Sequence, residues 1–229
     1  MQSKNTHERK KNVRRVISSS PAAAEGPLKV GLTGNIGSGK STAVRFFQEL
    51  GVPTFDTDSI GHALLDSDRN VQRRIVDTFG NRVIEDGIIS RRKLGQIVFA
   101  DHDKRRKLES ILHPAIISAV ESRISALGSH HYALVEVPLL YEAELSHHFD
   151  YVILVKSEKE RAVARASSRL GLTRDEVLKR LDSQIPQTEK EKLADFVVAN
   201  DGTEEDLRSR VNILHAIIST LRRDGPTDD

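Results

Sequence analysis

Along the chain, short apolar runs alternate with stretches in which apolar residues recur every three or four positions. Leu28 to Leu32, Val52 to Phe55, Tyr132 to Val137, Tyr151 to Val155 and Phe196 to Val198 are strand-length runs. Helical periodicity covers Lys40 to Leu50, Lys159 to Leu170 and Leu207 to Leu221, and several helices fill the stretch from about Asp58 to Leu127. Strands alternating with helices predict an α/β fold, a five-stranded parallel sheet flanked by helices on both faces. The 58–127 stretch is longer than a crossover needs, so it is expected to form a helical lobe over one sheet edge. No internal repeat is present.

Residues 1 to 26 break this pattern. They have no apolar periodicity and close on Ser18-Ser19-Ser20-Pro21-Ala22-Ala23-Ala24-Glu25-Gly26-Pro27, so little burial would offset the entropy of ordering them. The segment reads as a disordered basic arm, followed by one domain over 27–229. It lacks the apolar centre of a secretory signal; its Arg and Ser content weakly resembles a transit peptide, and a solvated extension is the simpler reading.

Charge is divided the same way. The arm carries six bases and two acids, leaving 29 bases and 31 acids in the other residues of the 229-residue chain. The body is slightly acidic, so no nucleic-acid partner is expected of it. With no cysteine, disulfide scaffolds, thiolate metal sites and cysteine nucleophiles are excluded, and a reducing cytoplasm fits. No apolar run approaches the roughly 20 residues a spanning helix needs, so no membrane partner is expected.

Gly34-Asn35-Ile36-Gly37-Ser38-Gly39-Lys40-Ser41-Thr42 fits the phosphate-loop pattern, preceded by a strand and followed by an amphipathic helix. Glycines let successive backbone N–H groups converge on phosphate oxygens. Lys40 supplies a cation between the outer phosphates, the Ser41 hydroxyl can ligate magnesium, and the helix start adds its positive dipole end. The dinucleotide alternative lacks its Gly-x-Gly-x-x-Gly spacing with a ribose-binding acid after the second strand.

Asp56-Thr57-Asp58 ends the second strand on the loop's edge of the sheet. One acid can cap the following helix, a role better suited to Asp56. The other, Asp58, can accept a hydroxyl proton and steer the acceptor. Glu136, ending the third long strand, is a candidate for holding magnesium or a plain solvated strand end. Leu139 and Leu140 follow Pro138, where substrate contact and packing explain them equally. Arg161, Arg165 and Arg169 recur every four residues and precede Gly171 and a second basic helix, as in a small lid over about 165–190 closing on phosphates. Arg161 can instead pair with Glu158. His113, before Pro114, is a packing residue or a substrate contact, with the proline ending one helix and opening the next.

Together with Leu112-His113-Pro114, Val137-Pro138-Leu139-Leu140-Tyr141-Glu142, the Arg169 to Gln184 stretch and Ala194-Asp195-Phe196-Val197-Val198 leading to Asn200-Asp201-Gly202, these motifs resemble the dephospho-coenzyme A kinase family from about Leu28 to Ile218. The resemblance implies a P-loop NTPase fold and transfer of the terminal phosphate of ATP, with Mg2+, to the ribose 3'-hydroxyl of dephospho-CoA. By position it makes Asp58 the base, Arg169 the lid arginine beside Lys40 as catalytic residues, and Asn200 to Gly202 the segment beside the adenine. An acceptor site is expected at Asp58, His113, Leu139, Leu140 and Arg165, in a cytoplasmic monomer or weak homo-oligomer. Asn35 departs from the family's usual glycine, Glu136 from its usual Asp or apolar residue, and the arm has no family counterpart. Another small-molecule or nucleotide kinase of this fold is the alternative, which a substrate panel separates. A nucleotide-dependent switch would need the absent Asn-Lys-x-Asp pattern.

Overall fold

The computed structural model of the protein describes residues 26–99 and 101–221. In chain order, β1 (Leu28–Thr33), α1 (Lys40–Glu49) and β2 (Thr54–Asp56) lead into a lobe of α2 (Thr57–Ser67), α3 (Arg69–Phe79), β3 (Ile84–Glu85), β4 (Ile88–Ile89), α4 (Arg91–Phe99) and α5 (His102–Ser125). The chain returns through β5 (Tyr132–Glu136) and β6 (Tyr151–Lys156), crosses α6 (Lys159–Leu170), α7 (Arg174–Asp182) and α8 (Gln187–Leu193), and closes with β7 (Phe196–Ala199) and α9 (Glu204–Ile218). Of the arm expected over 1–26, all but Gly26 lies outside the described residues.

The five long strands form a wholly parallel sheet in the order β2-β5-β1-β6-β7. Because successive side chains point to opposite faces and both faces are covered, the central strands β1, β5 and β6 are apolar through most of their length, with polar residues near their ends. Val30, Leu32, Leu134 and Ile153 pack one face against Phe46 and Phe47 of α1 and Leu207, Val211 and Ile218 of α9. Ala133, Val135 and Val152 pack the other face against Ile60 of α2 and Ile117, Val120 and Ile124 of α5. Each such Leu, Ile, Val or Phe contributes about 1.5–3 kcal/mol when fully buried.

Several boundaries differ from expectation for local reasons. β2 starts at Thr54, not Val52, because the Val52 N–H is spent on the Phe47 carbonyl and Pro53 has none to give. α9 starts at Glu204, three residues early, because Thr203 and Asp206 form a reciprocal capping box. The lobe also holds a small antiparallel hairpin, β3 with β4, turning at Asp86 and Gly87, both with positive φ.

Pro114 does not divide two helices. α5 runs unbroken for 24 residues through it. Its two halves are held by different cores, Ile111 with the lobe residues Val71, Ile75 and Phe79, and Ile117 to Ile124 with the sheet. That packing outweighs the lost backbone hydrogen bond, at a cost of about 3 kcal/mol. Among the described residues no helix is long and apolar enough to cross a membrane.

Candidate active site

The loop from Gly34 to Gly39 joins the end of β1 to the start of α1. Gly37 (φ 76°) and Gly39 (φ 94°) take the left-handed conformation, and each is closely overlaid. A Cβ at Gly37 would stand 2.0 Å from the Ala162 carbonyl oxygen, and one at Gly39 would stand 2.0 Å from Asn200 Nδ2. Asn35 needs no such conformation, the left-handed non-glycine residues described being Asp86 and Glu144, so its replacement of glycine carries no backbone strain. Lys40 Nζ donates to the carbonyl oxygens of Gly34 (2.8 Å) and Asn35 (3.3 Å). Burial lowers its pKa to about 8, with Glu136, Asp58 and Glu142 favouring the cation and Lys190 opposing it.

The acid triplet divides its work. Asp56 caps α2, accepting from the Asp58 N–H (3.0 Å) and the Ser59 hydroxyl (2.6 Å). Asp58, on the first turn, lines a cavity of about 960 Å³ that Lys40, Ser41, Leu139, Arg165 and Arg169 also line. Its pKa is raised by burial and then by Asp56, against His62 and Lys40. Glu136 is level with Asp56 on the neighbouring strand, and the Thr57 hydroxyl donates to its carbonyl (2.9 Å), fixing α2 to the end of β5. Burial raises the Glu136 pKa; Lys40 pulls it down, and Asp56 and Asp58 add to the rise.

Above the loop stand α6 and α7, hinged at Gly171 in the left-handed region and packed through Val163, Ala166 and Val177 onto Ile36. Arg169 Nη1 reaches the Ser41 hydroxyl (3.2 Å). Arg165 Nη1 donates to the Asn200 carbonyl (2.8 Å) and the Ser157 hydroxyl (3.3 Å), and Asn200 Nδ2 donates to the Ser38 carbonyl (2.8 Å). Arg165 is thereby tied to the loop's far brace, although it also lines the cavity. Arg161 pairs with Glu158 at 3.4 Å.

Not every expected residue meets the cavity. Leu139 does, but Leu140 is fully buried in the sheet core against Gly31 and does not line it, because the turn after Pro138 sends the two side chains to different sides. Gly202 also stands off the cavity: a Cβ there would lie 2.3 Å from Asp206 Oδ2, so it clears the α9 cap. His113 lines a second cavity, of about 650 Å³, which shares Asp58 and Arg105 with the first. Burial lowers its pKa, favouring the neutral ring.

Three side chains escaped sequence reasoning as site residues. Gln184 Oε1 accepts the Ile36 N–H (3.0 Å), and Asn35 Nδ2 donates to the Ile185 carbonyl (3.3 Å), so the segment that follows α7 is fastened to the phosphate loop. Glu142 Oε1 accepts the Ile185 N–H (3.0 Å) and lies 2.8 Å from Nζ of Lys190, whose side chain is 0% exposed. Gln184 and Glu142 stood inside recognisable motifs; Lys190, in the polar run Gln187-Thr188-Glu189-Lys190-Glu191-Lys192, showed no sign of burial.

Among the described residues no three His, Cys, Asp or Glu converge as a ready metal cage. The donors near the loop, the Ser41 hydroxyl and the Glu136 and Asp58 carboxylates, are all hard oxygens. They suit magnesium, which takes few protein ligands and keeps water and phosphate oxygens around it.

A parallel sheet with a glycine cradle at the end of its central strand, acids ending the two strands on one side of it, β5 and β2, and arginine-bearing helices above defines a P-loop kinase. A family model described as dephospho-CoA kinase matches residues 28–206. A dephospho-CoA kinase of Carboxydothermus hydrogenoformans is 39% identical over 185 residues, covering 80% of this chain and 90% of that protein. Among solved structures, a Thermus thermophilus protein is 33% identical with a TM-score of 0.74, over 84% of this chain and 98% of that one. The Campylobacter jejuni dephospho-CoA kinase is 28% identical with a TM-score of 0.62, over 83% and 96%. The chain belongs to the dephospho-CoA kinase family.

Proposed function

We propose that the protein transfers the terminal phosphate of ATP to the ribose 3'-hydroxyl of dephospho-CoA, giving coenzyme A and ADP. The carrying observation is the place of Asp58: its neighbour Asp56 is consumed by the helix cap, while its own carboxylate lines the same cavity as Lys40 and the loop. In this reading the loop amides and Lys40 hold the triphosphate, and Arg165, bonded to Asn200, which in turn donates to the Ser38 carbonyl, braces the loop. Asp58 accepts the 3'-hydroxyl proton as that oxygen bonds to the terminal phosphorus and the bond from phosphorus to the β–γ bridging oxygen breaks, releasing ADP. Burial and Asp56 raise the proton affinity of Asp58, which favours that role. Lys40 and Arg169 meet the charge that spreads over the transferred group, and closure of α6 and α7 excludes water that would otherwise hydrolyse ATP.

Ser41, through its hydroxyl, and Glu136 would hold magnesium, which supplies charge neutralisation across the outer phosphates. The reading uses one copy of the chain, and the cysteine-free composition accords with a reducing compartment such as the cytoplasm. The test is incubation with MgATP and a panel of dephospho-CoA, adenosine, shikimate and gluconate, with products identified by mass and by the position phosphorylated. Preference for another acceptor, or phosphate at another hydroxyl, overturns it.

A further inference from the structure

Five cationic side chains line the main cavity: Lys40, Arg105, Arg165, Arg169 and Arg180. Three have work on the nucleotide side. Lys40 bonds to the loop carbonyls, Arg169 reaches the Ser41 hydroxyl from α6, and Arg165 is bound to the Asn200 carbonyl. The other two stand apart from the loop. Arg105 comes from the second turn of α5 in the lobe and Arg180 from α7 in the lid, and both also line the second cavity.

Arg105 occupies the junction of three cavities, the two already described and a smaller one of about 220 Å³ bounded by His102, Arg106, His113 and Glu142. Its Nε donates to Glu109 Oε1 (2.9 Å), one helical turn on, which steadies the side chain. Its two Nη groups make no hydrogen bond among the described residues, so the flat face with two parallel N–H donors is available for an anion.

The proposed acceptor presents a matching anion. A ribose whose 3'-hydroxyl rests on Asp58 carries its diphosphate on the 5' carbon, one sugar ring away. Asp58 and Arg105 line the same two cavities, so the ring that Asp58 holds brings its diphosphate toward the lobe. Lys40 and Arg169 are engaged by the donor's phosphates. We propose that Arg105 grips the diphosphate of the acceptor and so selects nucleotide-like acceptors bearing a 5'-diphosphate. This rests on the function proposed above and adds a specificity-determining residue to it.

The test compares Arg105→Gln, Arg105→Lys and, as control, Glu109→Gln with the unmodified protein. Arg105→Gln is expected to raise the KM for dephospho-CoA about ten- to a hundredfold, the range of a charge-assisted contact. The KM for ATP and kcat should move by at most about threefold. Adenosine, which lacks the diphosphate, is assayed as a competitor against dephospho-CoA, and its inhibition constant should not change. Arg105→Lys should recover part of the loss, and Glu109→Gln, whose amide oxygen can still accept from Arg105 Nε, should leave the acceptor KM within about threefold. An unchanged KM in Arg105→Gln, or an equal loss for adenosine, overturns the inference. Failure of the unmodified protein to phosphorylate dephospho-CoA overturns the underlying function instead, so the two failures are told apart.

Discussion

Replacing Glu142 by Gln isolates the charge that a fully buried lysine depends on. Lys190 Nζ lies 2.8 Å from Glu142 Oε1, at side-chain exposures of 0% and 15%. Nζ has no well-aligned hydrogen bond, and Glu142 Oε2 has no partner. The pair is therefore held by charge rather than by a satisfied network. Glutamine can still accept the Ile185 N–H, so the substitution removes the countercharge and little else. Stranding a buried charge costs about 3–5 kcal/mol, and at about 2–4 °C per kcal/mol for a chain of this size the melting temperature should fall by about 6–20 °C. Lys190→Met strands a partly exposed carboxylate that keeps its backbone bond, so it should cost less. Because two neutral groups avoid the desolvation of two charges, the Glu142→Gln, Lys190→Met double variant should recover most of the loss. Urea and thermal melts of the four proteins give the coupling directly. Additive losses, or a cost under about 1 kcal/mol in Glu142→Gln, would refute the reasoning.

Asp58→Asn should lower kcat by about a hundred- to ten-thousandfold, the range of a lost general base, while ATP affinity stays within several-fold; near-normal turnover removes Asp58 from that role. Lys40→Ala should instead weaken ATP binding as well as abolish turnover, read by nucleotide titration. Gly37→Ala places a methyl 2.0 Å from the Ala162 carbonyl at a φ of 76°, so it should separate α6 from the loop and abolish nucleotide binding, with about 1–3 kcal/mol of strain visible in a melt. With the Lys40 pKa at about 8 in the free protein and higher beside bound phosphates, ATP binding takes up a proton above pH 8. The dissociation constant should be level below that pH and rise up to about tenfold per unit above it; a value unchanged to about pH 9.5 would show that Lys40 is not the group being titrated.

The phosphate loop, the five strands and the capping role of Asp56 could all be read from the chain, because each is set within a few residues. Glycine tolerance of positive φ, period-two apolar runs and an acid that caps the helix immediately after it are local properties. The start of α9 escapes the apolar periodicity, which begins only at Leu207; the reciprocal Thr203 and Asp206 cap sets it three residues earlier. Pro114 reads as a break because local propensity says so, yet two separate cores, distant in sequence, hold the halves of α5 together. Leu139 and Leu140 are adjacent and alike, and only the turn beyond Pro138, seated against Gly31 and Phe149, sends one to the cavity and the other to the core.

What lay beyond reach involves partners far apart in the chain. Lys190 buries its charge because Glu142, 48 positions away, meets it, and Gln184 holds a loop amide at Ile36. Arg105 becomes a candidate anion grip only because α5 and α7 face each other across the cavity that β1 opens. Short-range sterics and hydrogen bonding are written into neighbouring residues. The surroundings of a charge depend on which distant segments pack around it, and that is settled by burial of the whole chain.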